Sequence, residues 1–538
     1  DGFGDLDAGF WGAGRLTTGA SGEGSALFDA VVAYDLTRDA RRPDGTLVYT
    51  PEMQQSVVHD LLLAGCADLE NYNATNNKSG PGRALSGAIG ILFGQPERVR
   101  RALEGFERLL DECFHFDGFC MESPAYSGMH LSLMEEIPEM LEGYSDPPGY
   151  QPPQGERLQN FDPFRQLPRY RLALESMVRM SRPDLYYPVI GDTTAGARVS
   201  PHWVEILATH YGDRYAGLLE TLQGAPLEQK GSEYALWHRD PALKASTGPV
   251  DVGLRSEYFP GWQVGVLRAG GGPSQTAFYF NGYREHGHRH ADTLGIIYHA
   301  FNKELASDRG YIWDDPRNAW TKSTLAHNIV GVDGGNQNAP NRRSQLELFA
   351  LFPDLEVIQA SAAAYTQCTA YRRTCALVPL PNGESYVVDL FRVQGGTLHQ
   401  YAFHGNGTLV APPDGPLVPL QEKLSWLTNL RQADAPAGFT ATWEFEGVKM
   451  RLMMETPLQR LLVTDAPGWR SYRGDQLNAP PITQVVAERR GAPTAESLFT
   501  AVICAFKGDA CPVREVRSLV PNPPTNQAAG VQVTLAGR

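Results

Sequence analysis

Four ionisable side chains alternate in the run HGHRHADTLGIIYHA: His286, His288, His290 and Asp292. In an extended strand they would project from one face, a pattern that core packing does not explain. Asp308 follows in ELASDRGY and His327 in STLAHNIVGVDG. A histidine, an aspartate and a second histidine brought together from neighbouring strands can hold a zinc ion. The same spacing also fits a polar network in which the histidines cap strand ends. Nothing local decides, because no two-histidine helix motif is present.

Two upstream stretches carry groups suited to acid–base and amide chemistry. FDGFCMESPAYSGMH contains Tyr126, and NYNATNNKSG contains Asn71, Asn73, Asn76 and Asn77. On residue type alone, a tyrosine after a proline-containing loop is half-buried with its hydroxyl bonded. An asparagine-rich loop reads as turns.

The elements that must position these groups change character along the chain. Apolar residues at helical spacing mark residues 52–64, 85–93, 96–114, 131–141, 170–180 and 203–222, with Pro96 opening the clearest stripe. The proline-rich stretch 145–164 reads as a long loop, of the length that is often functional or mobile. After Thr247, residues 275–280, 294–299, 386–393 and 441–455 read as strands, with Gly447 shifting the phase inside the last. Strands without intervening helices predict sheet-on-sheet packing. The expected plan is a helical domain over 1–245 and a β domain over 246–538.

Bulk properties set limits. A chain of 538 residues exceeds one ordinary core, so two or three domains are expected. A formal net charge of −14 argues against a general nucleic-acid binder. An anionic glycan remains compatible through a local basic groove, for which Arg98, Arg100 and Arg101, or Arg284 and Arg289, are the candidates. No apolar run reaches membrane-spanning length, so no membrane is expected as a partner. Among seven cysteines, Cys504 and Cys511 could close a hairpin at Lys507-Gly508-Asp509, or remain buried thiols. The chain opens at Asp1, compatible with removal of a signal peptide and a periplasmic or secreted location.

The ordered run HGHRHADTLGIIYHAFNKELASDRGY and then TKSTLAHNIVGVDGGNQ resembles the C-terminal signature of the heparinase II/III-like polysaccharide lyases. The match covers residues from about 258 to 337. It implies an incomplete (α/α) toroid followed by an antiparallel β-sandwich. It implies His290, Asp308 and His327 as ligands of a structural divalent metal, Zn2+ first, with Mn2+ or Ca2+ as alternatives. His288 aligns with a substrate-facing histidine, and Asp292 with an acidic residue that orients a histidine. The weaker upstream match places Tyr126 at the catalytic tyrosine and Asn77 or Asn76 at the amide that meets the substrate carboxylate. Lys78 stands where the family often has a histidine. Further candidate substrate contacts are Arg317, His404 and Glu122.

The implied reaction is β-elimination on a uronic-acid polymer: a glycosaminoglycan such as hyaluronan, chondroitin or heparan sulfate first, alginate second. It must remove the C5 proton, alpha to a carboxylate, and expel the C4 oxygen. An amide such as that of Asn77 can stabilise the enolate-like dianion. Tyrosine, with an ordinary pKa of ~10, serves directly as an acid, and as a base only where positive charge favours its phenolate. Three alternatives stand beside this. A glycoside hydrolase would need two carboxylates, Glu122 with Asp117 or Glu135. A metallohydrolase would need an open coordination position. A non-catalytic glycan-binding protein would bind without turnover.

Overall fold

The computed structural model describes residues 15–245, 254–282, 287–340, 342–381, 384–435, 437–472, 477–519, 521–522 and 528–537. His286 and Arg284 lie outside these. Helices occupy the chain up to Glu233–His238, and strands begin at Glu257–Phe259. Packing divides the chain elsewhere than secondary structure does. One compact unit comprises the described residues up to 121 together with 126–176, and the other comprises 122–125 together with those from 177 on.

In the helical unit the stripe opened by Pro96 forms the helix Pro96–Cys113, burying Val99, Phe106, Leu109 and Leu110. Residues 52–64 are less regular than their pattern suggests. They run from the short helix Pro51–Gln55 through a π-helical stretch, Ser56–Leu63, into Ala64–Glu70. The helix Ala20–Thr37 escapes a pattern reading because its buried Leu27, Val31 and Tyr34 are outnumbered by small and polar residues. Residues 131–141 split between Pro124–Ser132 and Glu136–Leu141.

The second unit holds antiparallel sheets of five, eight, six and two strands among the described residues. In the eight-stranded sheet, Ser385–Gln394 lies between Ala370–Pro379 and Glu496–Phe506. Side chains from three of the sheets, including Phe280, Tyr298, Phe391, Phe403, Val463 and Phe499, share one buried cluster. Residues 441–455 form a hairpin rather than one phase-shifted strand, with Phe439–Phe445 paired to Val448–Met454. Glu446 and Gly447 both have positive φ, 48° and 79°. Two consecutive residues of that kind are the turn whose twist matches paired strands.

Candidate functional site

His288, His290 and Asp292 do not lie on a strand. Residues 287–294 are a loop between the strands Thr276–Asn281 and Gly295–Ala300. The loop sends its side chains in different directions: His290 is buried, whereas the His288 side chain is 29% exposed.

His290 meets Asp308, which follows the strand Lys303–Ala306, and His327, which precedes Ile329–Val332. His327 Nε2 lies 3.0 Å from Asp308 Oδ2, His290 Nδ1 3.5 Å from the same oxygen, and the two nitrogens 3.3 Å apart. The ligand atoms of this buried trio all fall within 4.8 Å of one another.

Contacts outside the trio fix which atoms face inward. His327 Nδ1 is 2.7 Å from the Ser323 carbonyl, which can only accept, so Nδ1 carries a proton. His290 Nε2 donates to Asp192 Oδ1 at 3.2 Å. Asp308 Oδ1 accepts from the Gly310 amide at 2.7 Å, while Oδ2 accepts no hydrogen bond. Gly310 has φ +71°, and a Cβ there would approach Thr193 O and Val189 Cγ1 to 2.7 Å. Two imidazole nitrogens and one carboxylate oxygen thus converge in a water-poor place. That donor set fits a divalent cation.

The electrostatics agree. Burial works against ionisation of Asp308, but the charges of His327 and His290 outweigh it and hold the carboxyl far below its ordinary range. Burial likewise disfavours protonated His290, yet Asp308 and Asp192 push its pKa up to about 10. The pocket calls for positive charge, supplied by protons when no cation is there. Asp292 is buried against the trio, its Oδ2 accepting from Asn281 Nδ2 at 2.6 Å and lying 3.9 Å from His327 Nε2. Burial and the neighbouring Asp308 push its pKa upward.

Asp192, in PVIGDTTAG, links this trio to His288, and no sequence pattern marks it. Its Oδ2 is 2.8 Å from His288 Nδ1 while its Oδ1 meets His290. Lys322 Nζ adds contacts of 2.9 and 3.0 Å to the two oxygens. Burial opposes its charge, but these partners hold its pKa low. The backbone joins in, the Asp192 amide donating to the His288 carbonyl at 3.0 Å. On the other edge of the ring, His288 Nε2 lies 3.7 Å from Glu122 Oε2. Ser123 Oγ donates to the Asp192 carbonyl at 3.1 Å, fixing the segment that carries Glu122.

His404, expected at the substrate, is not placed to meet one. It is fully buried, with Nε2 2.9 Å from the Ser307 carbonyl. Burial and the Arg309 charge hold its pKa well below the ordinary value, so it is a neutral strut beside Asp308. Arg317 is partly exposed but paired with Asp315 at 2.7 Å, its guanidinium 5.0 Å from the Trp469 ring.

In the helical unit, Tyr126 is half-buried on Pro124–Ser132. The two asparagines separate clearly. Asn76 is committed locally, donating to Tyr72 Oη at 3.0 Å and accepting from the Lys78 amide at 2.9 Å. Asn77 instead reaches Met129 Sδ at 3.1 Å. Met129 lies one turn beyond Tyr126, on the same side of the helix. Asn77 therefore reaches the helix that carries Tyr126. Of the basic clusters, Arg98 pairs with Glu70 and Arg100 with Asp146. Cys504 and Cys511 are buried thiols with no bridge between them, although the hairpin turn is present with Gly508 at φ +75°.

No family model matches the chain. An alginate lyase of Stenotrophomonas maltophilia (strain K279a) is 23% identical over 424 residues, 71% of this chain. The match covers 54% of that lyase, so the chain spans about half the length of the curated relative. Among solved structures, the heparinase III BT4657 gene product matches 96% of the chain and 72% of its own, with TM-score 0.67 and 16% identity. A mutant of the heparan sulfate lyase HepC from Pedobacter heparinus matches 96% and 74%, with TM-score 0.64 and 12% identity. The chain shares its fold with these heparinase III-like structures. Helical chain followed by antiparallel sheets is the arrangement it has in common with them.

Proposed function

We propose that the chain is a polysaccharide lyase that cleaves uronic-acid polymers by β-elimination, leaving 4,5-unsaturated uronate ends. The observation that carries this reading is Asp192, which joins a half-exposed imidazole, His288, to a buried ligand trio. Such a link holds an acid–base group in one tautomer and one orientation. The names borne by the relatives, alginate lyase and heparan sulfate lyase, point to uronate-containing polyanions as the substrate class.

The division of labour follows from group chemistry. Asn77 donates to the substrate carboxylate and stabilises the dianion as the C5 proton leaves. Tyr126 protonates the departing C4 oxygen and, where both groups leave one face, also takes the C5 proton. His288 orients the sugar or serves as the second acid–base group, with Glu122 beside it. His290, Asp308 and His327 would hold a structural divalent cation, Zn2+ first, whose charge replaces the protons that the cluster otherwise gathers. The helical part fits an incomplete toroid, and sheets sharing one core fit a sandwich. Export to the periplasm or medium suits a polymeric substrate, and among the described residues no helix is long and apolar enough to cross a membrane.

A panel of alginate, hyaluronan, chondroitin and heparan sulfate, followed by ultraviolet absorbance and product mass, tests this. Products 18 mass units lighter than the hydrolytic ones, with absorbance growth, are expected for elimination. Hydrolytic masses without absorbance would refute the lyase reading.

A further inference from the structure

A second feature of the helical unit is not used by this chemistry. Between the helices Ser79–Leu92 and Pro96–Cys113 and the segment 69–78 lies a hollow of about 250 Å3. Its lining carries Lys78, Arg83, Arg101 and Arg108 against Glu70 and Glu104, four cations to two carboxylates. Glu70 is already engaged, accepting from Arg98 at 2.9 Å and Ser86 Oγ at 2.7 Å. The surplus positive charge stands out in a chain whose net charge is −14.

Arg83 is the centre of it. Its guanidinium donates to the carbonyls of Gly105 at 2.6 Å and Ala74 at 3.2 Å, neither of which carries charge. Burial and the neighbouring Arg108 push its pKa down to about 10. The helix makes room for it, because a Cβ at position 105 would run into the Arg83 side chain. Glycine inside a helix costs about 1 kcal/mol relative to alanine, so the cavity is built at the expense of the helix. Arg108 donates to Thr75 Oγ1 at 2.8 Å and forms a solvent-screened ion pair with the exposed Glu112 at 3.0 Å.

We propose that this hollow is an anion pocket that takes a carboxylate or sulfate borne on a sugar of the polymer. Guanidinium forks match both oxyanions in the same two-point manner. Lys78 adjoins Asn77, so the pocket sits beside the amide assigned to the substrate carboxylate, and a charge on a nearby sugar would enter it. The assignment of a polymer as ligand rests on the lyase reading, whereas the pocket itself does not.

The test is calorimetric binding of size-defined alginate and heparan sulfate oligosaccharides to the whole chain carrying Tyr126→Phe, with sodium sulfate as a separate titrant. Arg108→Ala and Lys78→Ala should each weaken oligosaccharide binding roughly tenfold, as expected for a lost charge-assisted bond, without moving the unfolding midpoint. Arg83→Met should weaken it further; if that variant does not fold, the other two decide. Unchanged oligosaccharide affinity in both overturns the proposal. Sulfate binding that responds to the substitutions while oligosaccharide binding does not overturns the polymer as ligand. Substitution-sensitive binding with no unsaturated product from any polymer removes the lyase reading and leaves the pocket. Turnover with substitution-insensitive binding does the reverse.

Discussion

Asp389→Leu should destabilise the protein by ~3–5 kcal/mol, although Asp389 lies outside the site. Asp389 and Arg373 meet diagonally across neighbouring strands with both side chains fully buried. Arg373 Nε and Nη2 meet the two carboxylate oxygens at 2.8 and 2.6 Å. Its Nη1 donates to the carbonyls of Leu294 and Asn328, each at 2.8 Å. Those carbonyls end the His290 loop and follow His327, so this guanidinium pins both arms of the ligand trio. Removing the carboxylate strands a cation without solvent, the case for which ~3–5 kcal/mol is typical. An unfolding entropy of about 2.1 cal/mol/K per residue over roughly 350 residues gives ~0.75 kcal/mol/K, a fall in Tm of about 4–7 °C. Adding Arg373→Met removes the stranded charge and should recover part of the loss, leaving two carbonyls short of a donor and the Tyr401 hydroxyl short of an acceptor. Differential scanning calorimetry on the two singles and the double closes the cycle. A single variant within ~1 kcal/mol of the parent, or a double whose loss equals the sum of the singles, would refute this reasoning.

Tyr126→Phe should lower turnover by about 10²–10⁴-fold, the range for loss of a general acid, with unfolding unchanged; activity within a few-fold of the parent would remove Tyr126 from the reaction. Asn77→Ala should act on turnover, whereas Asn76→Ala should lower stability by about 1 kcal/mol; steady-state kinetics beside thermal unfolding would expose a reversed pattern. Chelation, or His327→Ala, should lower the unfolding temperature, and elemental analysis should find close to one divalent ion per chain in the untreated protein. An unmoved melting profile and no bound ion would dismiss the structural cation. Acid should weaken the fold around Arg182, which lies 2.8 Å from both Asp184 and Glu304. Burial opposes the charge on those carboxyls, but Arg182 and their other partners hold both pKa values low. Their contribution is therefore complete above the ordinary carboxylate range of ~4 and is lost as pH falls below it. Arg182→Met should flatten that loss in melts from pH 7 to 3, and parallel curves would count against it.

What could be read from the chain in advance was what composition and local order encode. The segments of His290, Asp308 and His327 stand out in the sequence by their order, and the fold brings the three side chains together. The strand reading of the alternating histidines failed because Leu294, at φ +74°, ends a loop that no alternation rule distinguishes from a strand. Asp192 and Lys322 were invisible. An aspartate after Ile190-Gly191 looks like any turn, and its role comes from a contact 96 residues away in the chain. His404 misled in the opposite sense, since a histidine beside Gly405 and Gly407 looks accessible until neighbouring strands cover it. That Asn76 is bonded locally while Asn77 reaches Met129 depends on side-chain directions, which residue type does not carry.

The four residues 122–125 pack with chain that has yet to be made when they leave the ribosome. Ser123 waits for Asp192, 69 positions later. At ~5–20 residues per second, that is a delay of about 3–14 s. For that interval the strap 122–125 lacks the Asp192 carbonyl that Ser123 meets in the folded chain. Nascent chains stalled before position 192 should therefore be cut by proteases at this strap, and chains stalled well beyond it should not.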